Sequence, residues 1–267
     1  MAWNMDIWNL IRRRIGRILR PWLIRQRQAD DSIAFDATNG QVIDGPFRGM
    51  RYVGQSGGSA LGPKLLGTYE MELRPVVDAI IRSACPMIID IGAGEGYYAI
   101  GLLTRMPLAQ VEAFESSAQS RHLLGSMARR NQVCDRLTIH GACAVEDLSA
   151  LAGSALQSVV ICDCEGGEAE LLDPVVVTWL TIAPILVETH DMYCPGVTEL
   201  LLARFAETHH IETFHSVPRD VSDAPASFRD YPHGLLRRLL SERRKEQTTW
   251  LWMMPKTCDT QPRGVFS

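Results

Sequence analysis

A short apolar run followed by three alternate glycines is the feature that most constrains the fold of this chain. Met87 to Ile91 follow Pro86, which cannot continue a helix. An apolar run of this length is typical of a strand buried on both faces of a parallel sheet. Gly92, Gly94 and Gly96 then allow a sharp turn and a close approach of the backbone to a ligand. We therefore predict the first strand of a parallel sheet, with a nucleotide-like ligand over the turn.

Strands and helices alternate regularly after this turn. Alternation of this kind implies right-handed crossovers and a sheet covered by helices on both faces. It predicts an α/β protein with a three-layer, doubly wound (Rossmann-like), mostly parallel sheet. The predicted strands are 87–91, 110–114, 137–140, 158–163, 185–189, 211–216 and 248–254, and the predicted helices are 63–84, 97–105, 118–131, 145–151, 168–172, 197–208 and 235–245.

The first 28 residues differ in charge from the rest of the chain. They hold seven of the 27 basic residues and one of the 31 acidic residues, so the remainder is acidic. Tryptophans and isoleucines recur at helical spacing among the arginines, which predicts a basic amphipathic N-terminal helix closed near Pro21. Residues 1–27 either bind the surface of an anionic membrane or dock on their own domain or a partner. The arginines interrupt any apolar region, so a signal peptide is not predicted.

The chain is divided into an arm at 1–28, a glycine-rich loop or lid at 29–62, a main domain at 63–257 and a tail at 258–267. The acidic body argues against a nucleic-acid partner, because phosphate binding needs a basic surface. Seven scattered cysteines show neither a disulfide framework nor metal-ligand spacing, which favours a reducing cytoplasm. No uncharged apolar run approaches about 18 residues, so no membrane-spanning helix is expected.

The glycine turn is compatible with two kinds of nucleotide site. A nicotinamide fingerprint needs a glycine at the sixth position counted from Gly92, and that position is Tyr97. The pattern Asp90-x-Gly92-x-Gly94-x-Gly96, followed by Glu115 at the end of the next strand, resembles motif I of the class I S-adenosylmethionine-dependent methyltransferases. The same resemblance extends to the last strand, which in those proteins is inserted antiparallel beside the fifth.

This resemblance implies S-adenosylmethionine as the cofactor. Asp90 and the glycine turn are expected to hold the amino acid end, and Glu115 to accept both ribose hydroxyls, since a carboxylate offers two acceptor oxygens. The small side chains around Cys143 are expected either to let an adenine ring lie flat or only to form a packing corner. The expected cofactor-binding residues are Asp90, Gly92, Ala93, Gly94, Gly96, Glu115, Ser116, Cys143 and Asp163.

A second acidic segment follows the fourth predicted strand. Asp163, Glu165 and Glu168 fall within six residues that also contain two glycines. Like charges crowded in this way are costly unless a ligand, a partner or protonation relieves them. In an open parallel sheet, ligands bind outside the carboxyl ends of the strands, so these carboxylates are candidate site residues.

Together with Glu188-x-His190 after the fifth strand, this segment resembles the FkbM family of methyltransferases. The match covers residues 86–216. It departs from the family at Glu95, where asparagine is frequent, and at Ser116-Ser117, which replace a Glu-Pro-like ending. The resemblance implies O-methylation, often of sugar hydroxyls, so the expected partner is a saccharide, a glycan precursor or another small-molecule acceptor.

A hydroxyl is a poor nucleophile until a base takes its proton. His190 is the first candidate for that base, because imidazole titrates near neutrality and Glu188 or another carboxylate can orient it. Asp163 and Glu165 are the alternative catalytic residues. A divalent metal held by Asp163, Glu165 and Glu188 is also compatible with hard oxygen ligands, but none is predicted.

Two other functions remain open from the sequence. One is a non-catalytic, membrane-associated module on the same fold, and the other is a nicotinamide-dependent oxidoreductase. The expected location is the cytoplasm, with the arm holding the protein peripherally at the inner membrane face. Neither the acceptor nor the oligomeric state is predicted.

Overall fold

A computed structural model describes residues 21–244 and 246–256 of the chain. The predictions for residues 1–20 and for the tail at 258–267 lie outside the described residues. The described strands are β1 (Met87–Ile91), β2 (Gln110–Phe114), β3 (Leu137–His140), β4 (Ser158–Cys162), β5 (Ile185–Thr189), β6 (His209–His215) and β7 (Thr249–Pro255).

These strands form one sheet in the order β3-β2-β1-β4-β5-β7-β6. The pairs among β1 to β5 are parallel, and β7 is antiparallel to both β5 and β6. The expected doubly wound sheet, with its last strand inserted antiparallel beside the fifth, is therefore confirmed.

Helices cover both faces of the sheet. The described part of α1 covers residues 21–37. The following helices are α2 (Leu61–Leu66), α3 (Arg74–Ser83), α4 (Tyr97–Arg105), α5 (Ala118–Asn131), α6 (Val145–Ala150), α7 (Glu168–Leu171), α8 (Val197–Phe205) and α9 (His233–Leu240). The core on one face includes side chains of α2 to α5 and α9, and the core on the other includes those of α6 to α8. This is the expected three-layer architecture.

Alternate side chains of the strands contribute to the two cores in turn. In β1, Ile88 faces the core that contains α4, whereas Ile89 and Ile91 face the opposite core. Successive side chains of a strand point to opposite faces, so a continuous apolar run is needed where both faces are covered. The run that suggested a buried strand is apolar for this reason.

The segment before the main domain contributes to the core, contrary to the expectation of a loop outside it. Residues 29–37 belong to α1, and Phe47 and Tyr52 are fully buried. Phe47 lies against α4 at Gly101, where an added Cβ would stand 2.6 Å from the phenyl ring. The rest of the segment is irregular, with one antiparallel bridge between Gln41 and Arg51. Its apolar side chains thus belong to the same core cluster as those of α4.

Two predicted helices are shorter than expected. The helix predicted at 63–84 is interrupted, because Gly67 ends α2 in the left-handed conformation and α3 begins only at Arg74. The helix predicted at 235–245 ends at Leu240. Arg243 has a φ of 60°, and residues 241–244 and 246–248 lie outside helices and strands along the carboxyl edge of the sheet. That loop places Arg244 at the site described below.

The docking of α1 involves ion pairs with the C-terminal part of the chain. Asp30 accepts from Nε and Nη2 of Arg238 at 3.0–3.2 Å, and Asp31 pairs with Arg243 at 3.2 Å. Trp22, at the described start of α1, is 59% exposed. No helix among the residues that the structure describes is long and apolar enough to cross a bilayer. The second half of α1 is thus held on the domain, while its first half is exposed.

Replacing Gly92 by Ala is expected to destabilise the fold. The added Cβ would lie 1.7 Å from the carbonyl oxygen of Asp163, at a φ of +85°. Left-handed strain alone costs roughly 1–3 kcal/mol, and the clash adds to it. The matched control is Gly234→Ala in α9, where the Cβ meets no atom within 4 Å. Urea unfolding should show a loss only for Gly92→Ala, and equal stability of the two variants would contradict the contact between the turn and β4.

Candidate functional site

The carboxyl ends of β1, β2, β4 and β5 border a cleft of about 900 Å³. This is within the usual range of roughly 300–1,000 Å³ for ligand pockets, and its place outside the carboxyl edge of a parallel sheet is where such folds bind ligands. The walls come from the N-terminal segment at 56–69, the glycine turn, the loops after β2, β4 and β5, and the loop at 242–249.

The three glycines of the turn have different surroundings. All three have positive φ, but a Cβ on Gly92 would clash with the Asp163 carbonyl and one on Gly96 would lie 2.4 Å from Leu124. Gly94 has only the carbonyl oxygen of Gly57 at 4.0 Å. Gly92 and Gly94 line the cleft, whereas Gly96 does not. Gly96 permits close packing of α4 and α5, and Gly94 leaves the backbone open to a ligand.

Glu115 lies at the end of β2 and is almost fully buried. Its two carboxylate oxygens accept from the backbone N–H groups of Gly94, at 2.8 Å, and of Ser117, at 2.6 Å. Each oxygen can accept a second hydrogen bond, so the carboxylate is oriented without being saturated. Ser116 and Cys143 line the same end of the cleft. The structure therefore brings together these expected cofactor residues.

Besides Gly96, two expected cofactor residues do not line the cleft. Asp90 lies on the same face of β1 as Ile88, under α4, and Ala93 is buried in the core. Burial raises the pKa of Asp90 to about 7, although a hydrogen bond with the backbone of Ala99 opposes the rise. The alternation of side chains along β1 explains the position of Asp90. Ile88 and Asp90 are two positions apart and therefore both face the α4 layer.

His190, after β5, is 8% exposed and lies beside Glu168 of α7. Its Nδ1 is 2.7 Å from Oε1 of Glu168, which is fully buried. Burial alone would lower the pKa of His190, but the hydrogen bond that its ring donates to Glu168 and the charge of Glu188 raise it above its ordinary value. The predicted candidate base is therefore in the cleft, and Glu168, not Glu188, orients its ring.

Asp163 and Glu188 face the other ring nitrogen of His190. Nε2 is 3.6 Å from Oδ1 of Asp163 and 3.8 Å from Oε2 of Glu188. Burial and the charges of Glu188 and Glu70 raise the pKa of Asp163 well above its ordinary value. Tyr193 stacks on the imidazole at a centroid distance of 5.9 Å and is 54% exposed. These groups form an acidic wall around Nε2.

Arg244 balances this acidic wall and was not identified from the sequence. Its guanidinium binds the carboxylates of Glu70, Glu188 and Glu242. Burial raises the pKa of Glu70 to about 7, because it outweighs the opposing effect of Arg244. Nothing local in the sequence indicates these contacts, since Glu70 and Arg244 are 174 positions apart.

The possible metal ligands in the structure differ from the set that the sequence suggested, which was Asp163, Glu165 and Glu188. Asp163, Glu188 and His190 each offer one ligand atom, and these atoms lie within 4.8 Å of one another. Glu165 is exposed, with a φ of 53°, and lies outside this group although it lines the cleft. Because Glu188 is already paired with Arg244, a cation would have to compete with the guanidinium.

Glu95 is the second group whose role the sequence did not indicate. It is 1% exposed and accepts from the hydroxyls of Tyr52 and Ser56, from the N–H of Gly57 and from Nζ of Lys64. Burial would raise its pKa, but Lys64 and these hydrogen bonds lower it to about 2. The carboxylate thus fixes the N-terminal segment on the glycine turn. Its occurrence where the FkbM family often has asparagine was the one signal available.

No protein-family model matches the chain, and no curated protein sequence matches it, so the resemblance to the FkbM family is not confirmed. The fold is similar to those of several solved methyltransferases. A precorrin-6y C5,15-methyltransferase from Geobacter metallireducens is 15% identical, with a TM-score of 0.47 over 67% of this chain and 87% of that chain. An O-methyltransferase from Bacillus cereus in complex with SAH is 12% identical, with a TM-score of 0.46 over 67% and 79%.

The O-methyltransferase TomG from Streptomyces achromogenes, involved in tomaymycin synthesis and in complex with SAM, is 16% identical. Its TM-score is 0.45 over 73% of this chain and 81% of that chain. Values this low carry over neither a substrate nor the role of any residue. The function is inferred below from the groups that the cleft itself contains.

Replacing Glu168 by Gln is expected to lower the pKa of His190. The wild-type ring should titrate above its ordinary value of 6.5, because the Glu168 carboxylate stabilises the protonated ring, and the amide removes that charge. NMR titration of the histidine rings, with His190→Asn to assign the signal, measures the change. Glu170→Gln, an exposed change in the same helix, is the control. An unchanged His190 titration in Glu168→Gln would contradict the orienting contact.

Proposed function

We propose that this chain is an S-adenosylmethionine-dependent methyltransferase that transfers a methyl group to a hydroxyl of a small-molecule or saccharide acceptor. One observation carries the proposal. A single cleft contains an open glycine turn beside an oriented carboxylate, Glu115, and also a buried His190–Glu168 pair. The first pair of features suits a nucleoside, and the second suits removal of a proton from an acceptor.

The residues present fit the cofactor. A ribose presents two adjacent hydroxyl donors, and Glu115 has unused acceptor capacity on both oxygens. Gly94 leaves the space above the turn free of a side chain, and Cys143 is a small group at the same end. The sulfonium and ammonium groups are cations, which suit a cleft that several carboxylates line.

When bound, S-adenosylmethionine supplies an electrophilic methyl group. His190 acts on the acceptor: with Nδ1–H donated to Glu168, Nε2 carries the lone pair and takes the hydroxyl proton. The carboxylate of Glu168 stabilises the imidazolium that forms. Glu165 provides a further acceptor for hydroxyls of the substrate, and Tyr193 offers an exposed ring beside the base.

The nicotinamide-dependent alternative is disfavoured by a specific packing feature. Tyr97 occupies the position of the third glycine of that fingerprint, and its ring packs at 5.1 Å from both Phe47 and Tyr69. That glycine serves close packing of helix and strand, and here a buried tyrosine takes its place. The alternative of a non-catalytic module is separated from the proposal by the transfer assay below.

Calorimetric titration tests the cofactor. The wild-type protein is expected to bind S-adenosylmethionine and not NAD. Glu115→Ala should weaken binding roughly 100-fold, because two hydrogen bonds to a charged acceptor are lost. Glu112→Ala, a change of the same kind in β2 at a residue that does not line the cleft, should leave it unchanged. Tight NAD binding, or equal losses in the two variants, would contradict the proposed site.

The same proteins test the reaction. With labelled S-adenosylmethionine and a panel of saccharide and phenolic acceptors, His190→Gln should reduce transfer roughly 10²–10⁴-fold while cofactor binding is retained. A wild-type protein that binds the cofactor but methylates no hydroxyl acceptor would support the non-catalytic alternative.

We also propose that the arm holds the protein at an anionic membrane surface, such as the cytoplasmic face of the inner membrane. Residues 1–28 carry seven arginines, and Trp22, Leu23 and Ile24 are 40–59% exposed at the described start of α1. Basic residues beside exposed tryptophan suit the interface of such a membrane. The ion pairs that hold α1 on the domain come from Asp30 and Asp31, which lie outside the arm, so they do not involve the exposed side chains of Trp22, Leu23 and Ile24.

Replacing Trp22, Leu23 and Ile24 together by Ser is expected to reduce co-sedimentation with anionic vesicles at least tenfold, since each buried side chain contributes about 1.5–3 kcal/mol. Raising the salt concentration should release the wild-type protein. Leu108→Ser is the control, because Leu108 is 89% exposed outside the arm. Equal sedimentation of the triple variant and the control would refute the membrane role.

A further inference from the structure

Lys64 is a buried cation that lines the cleft, and it belongs to none of the motifs found in the sequence. Its residue is 4% exposed, and Nζ lies 2.6 Å from Oε1 of Glu95 and 3.5 Å from the hydroxyl oxygen of Ser56. The ammonium also lies 4.9 Å from the ring centroid of Tyr69. A lysine has three N–H donors, so one remains after the contacts with Glu95 and Ser56.

The wall around Lys64 is rigidly connected to the glycine turn. Glu95, a residue of that turn, binds Tyr52, Ser56 and Gly57 of the N-terminal segment and Lys64 of α2. The hydroxyl oxygens of Ser56 and Ser59 are 3.0 Å apart, and both residues line the cleft. Buried charge-assisted hydrogen bonds of this kind hold their partners in a defined geometry. Lys64 is therefore held beside the turn before any ligand arrives.

The other cations of the cleft are paired with carboxylates outside the glycine turn. Among the described residues that line the cleft, the remaining Lys and Arg side chains are Arg243, paired with Asp31, and Arg244, which is shared by three glutamates. Lys64 differs from them because its carboxylate partner, Glu95, belongs to the turn itself. An anionic group at the turn is therefore next to Lys64, and an ammonium group there can meet Asp163, whose backbone carbonyl lies against Gly92 and which lines the cleft.

We propose that Lys64, with the hydroxyl of Ser59, binds the carboxylate of the amino acid end of S-adenosylmethionine. The inference rests on the proposed function and adds to it a binding group outside the methyltransferase motifs. The zwitterionic end of the ligand is then held at two points, with its carboxylate at Lys64 and its ammonium at Asp163, whose ionised form the ammonium stabilises. Fixing both charges orients the sulfur substituents, which is what an in-line transfer requires.

The test compares two ligands that differ by one group: S-adenosylmethionine and its decarboxylated form, which keeps the sulfonium and the ammonium. The wild-type protein should bind the complete ligand at least tenfold more tightly. Lys64→Met should weaken binding of the complete ligand at least tenfold and leave the decarboxylated ligand unchanged, so the preference disappears. Calorimetric dissociation constants for the four combinations give the result.

Two further variants separate recognition from folding. Lys64→Met leaves Glu95 buried without its cation, which is costly. The double change Lys64→Met with Glu95→Gln removes both charges and should lose the same ligand preference. Lys256→Met is the matched control, because Lys256 is exposed and its Nζ donates to the Ala206 carbonyl away from the cleft. Circular dichroism and thermal unfolding establish which variants are folded.

The outcomes are distinct. Loss of preference in a folded variant supports the assignment of Lys64. Equal weakening of both ligands, or an unchanged preference in the double variant, overturns the assignment and leaves the proposed function standing. Failure of the folded wild-type protein to bind either ligand overturns the proposed function and this inference with it.

Discussion

The crowding of carboxylates at one edge of the sheet is the constraint on which the site depends. Glu70, Glu95, Glu168 and Glu188 are each at most 3% exposed, and an isolated buried charge is strongly unfavourable. Each of them has a specific partner: Lys64 for Glu95, His190 for Glu168, and Arg244 for the other two. The geometry of the cleft follows from these pairings, because none of the carboxylates can move without losing its compensation.

The N-terminal segment is part of this electrostatic balance and not only a cover for the sheet. Ser56 donates a hydrogen bond to Glu95 of the glycine turn, and the adjoining Lys64 neutralises that carboxylate. Phe47 packs on α4, which starts at the turn. Nonpolar and ionic contacts thus both hold the N-terminal segment on the glycine turn and α4. The cofactor end of the cleft is consequently built from both sides of the boundary that the sequence placed near residue 62.

Local patterns explain why much of the fold was predictable. The apolar runs of β1 and β4, the glycine turn and the polar ends of β2 and β5 are each visible within about ten residues, and Glu115 and His190 lie where these patterns place them. Asp90 was expected at the cleft but lies under α4, because the alternation of β1 places it on the same face as Ile88. The early end of α9 was missed because helical propensity at 241–245 is overridden by the contacts of Arg243 and Arg244.

The partners of the site residues were beyond local patterns for a physical reason. Lys64 and Glu95 are 31 positions apart, Glu188 and Arg244 are 56, and Glu70 and Arg244 are 174. A single sequence does not say which of many charged residues will meet across such separations. Glu168 is the intermediate case, since its place in the acidic motif was visible but its contact with His190 was not.

The ionic link between Glu70 and Arg244 also sets an order of events during synthesis of the chain. Glu70 leaves the ribosome long before Arg244, which follows it by 174 positions. Until residue 244 has emerged, the early strands can pair, but Glu70 and Glu188 lack the guanidinium that they share. Long-range contacts of this kind slow folding, because a large loop must close before they form. The cleft is therefore among the last parts of the molecule to be completed, and a chain that stops before residue 244 would carry the motifs of the site without this part of its charge balance.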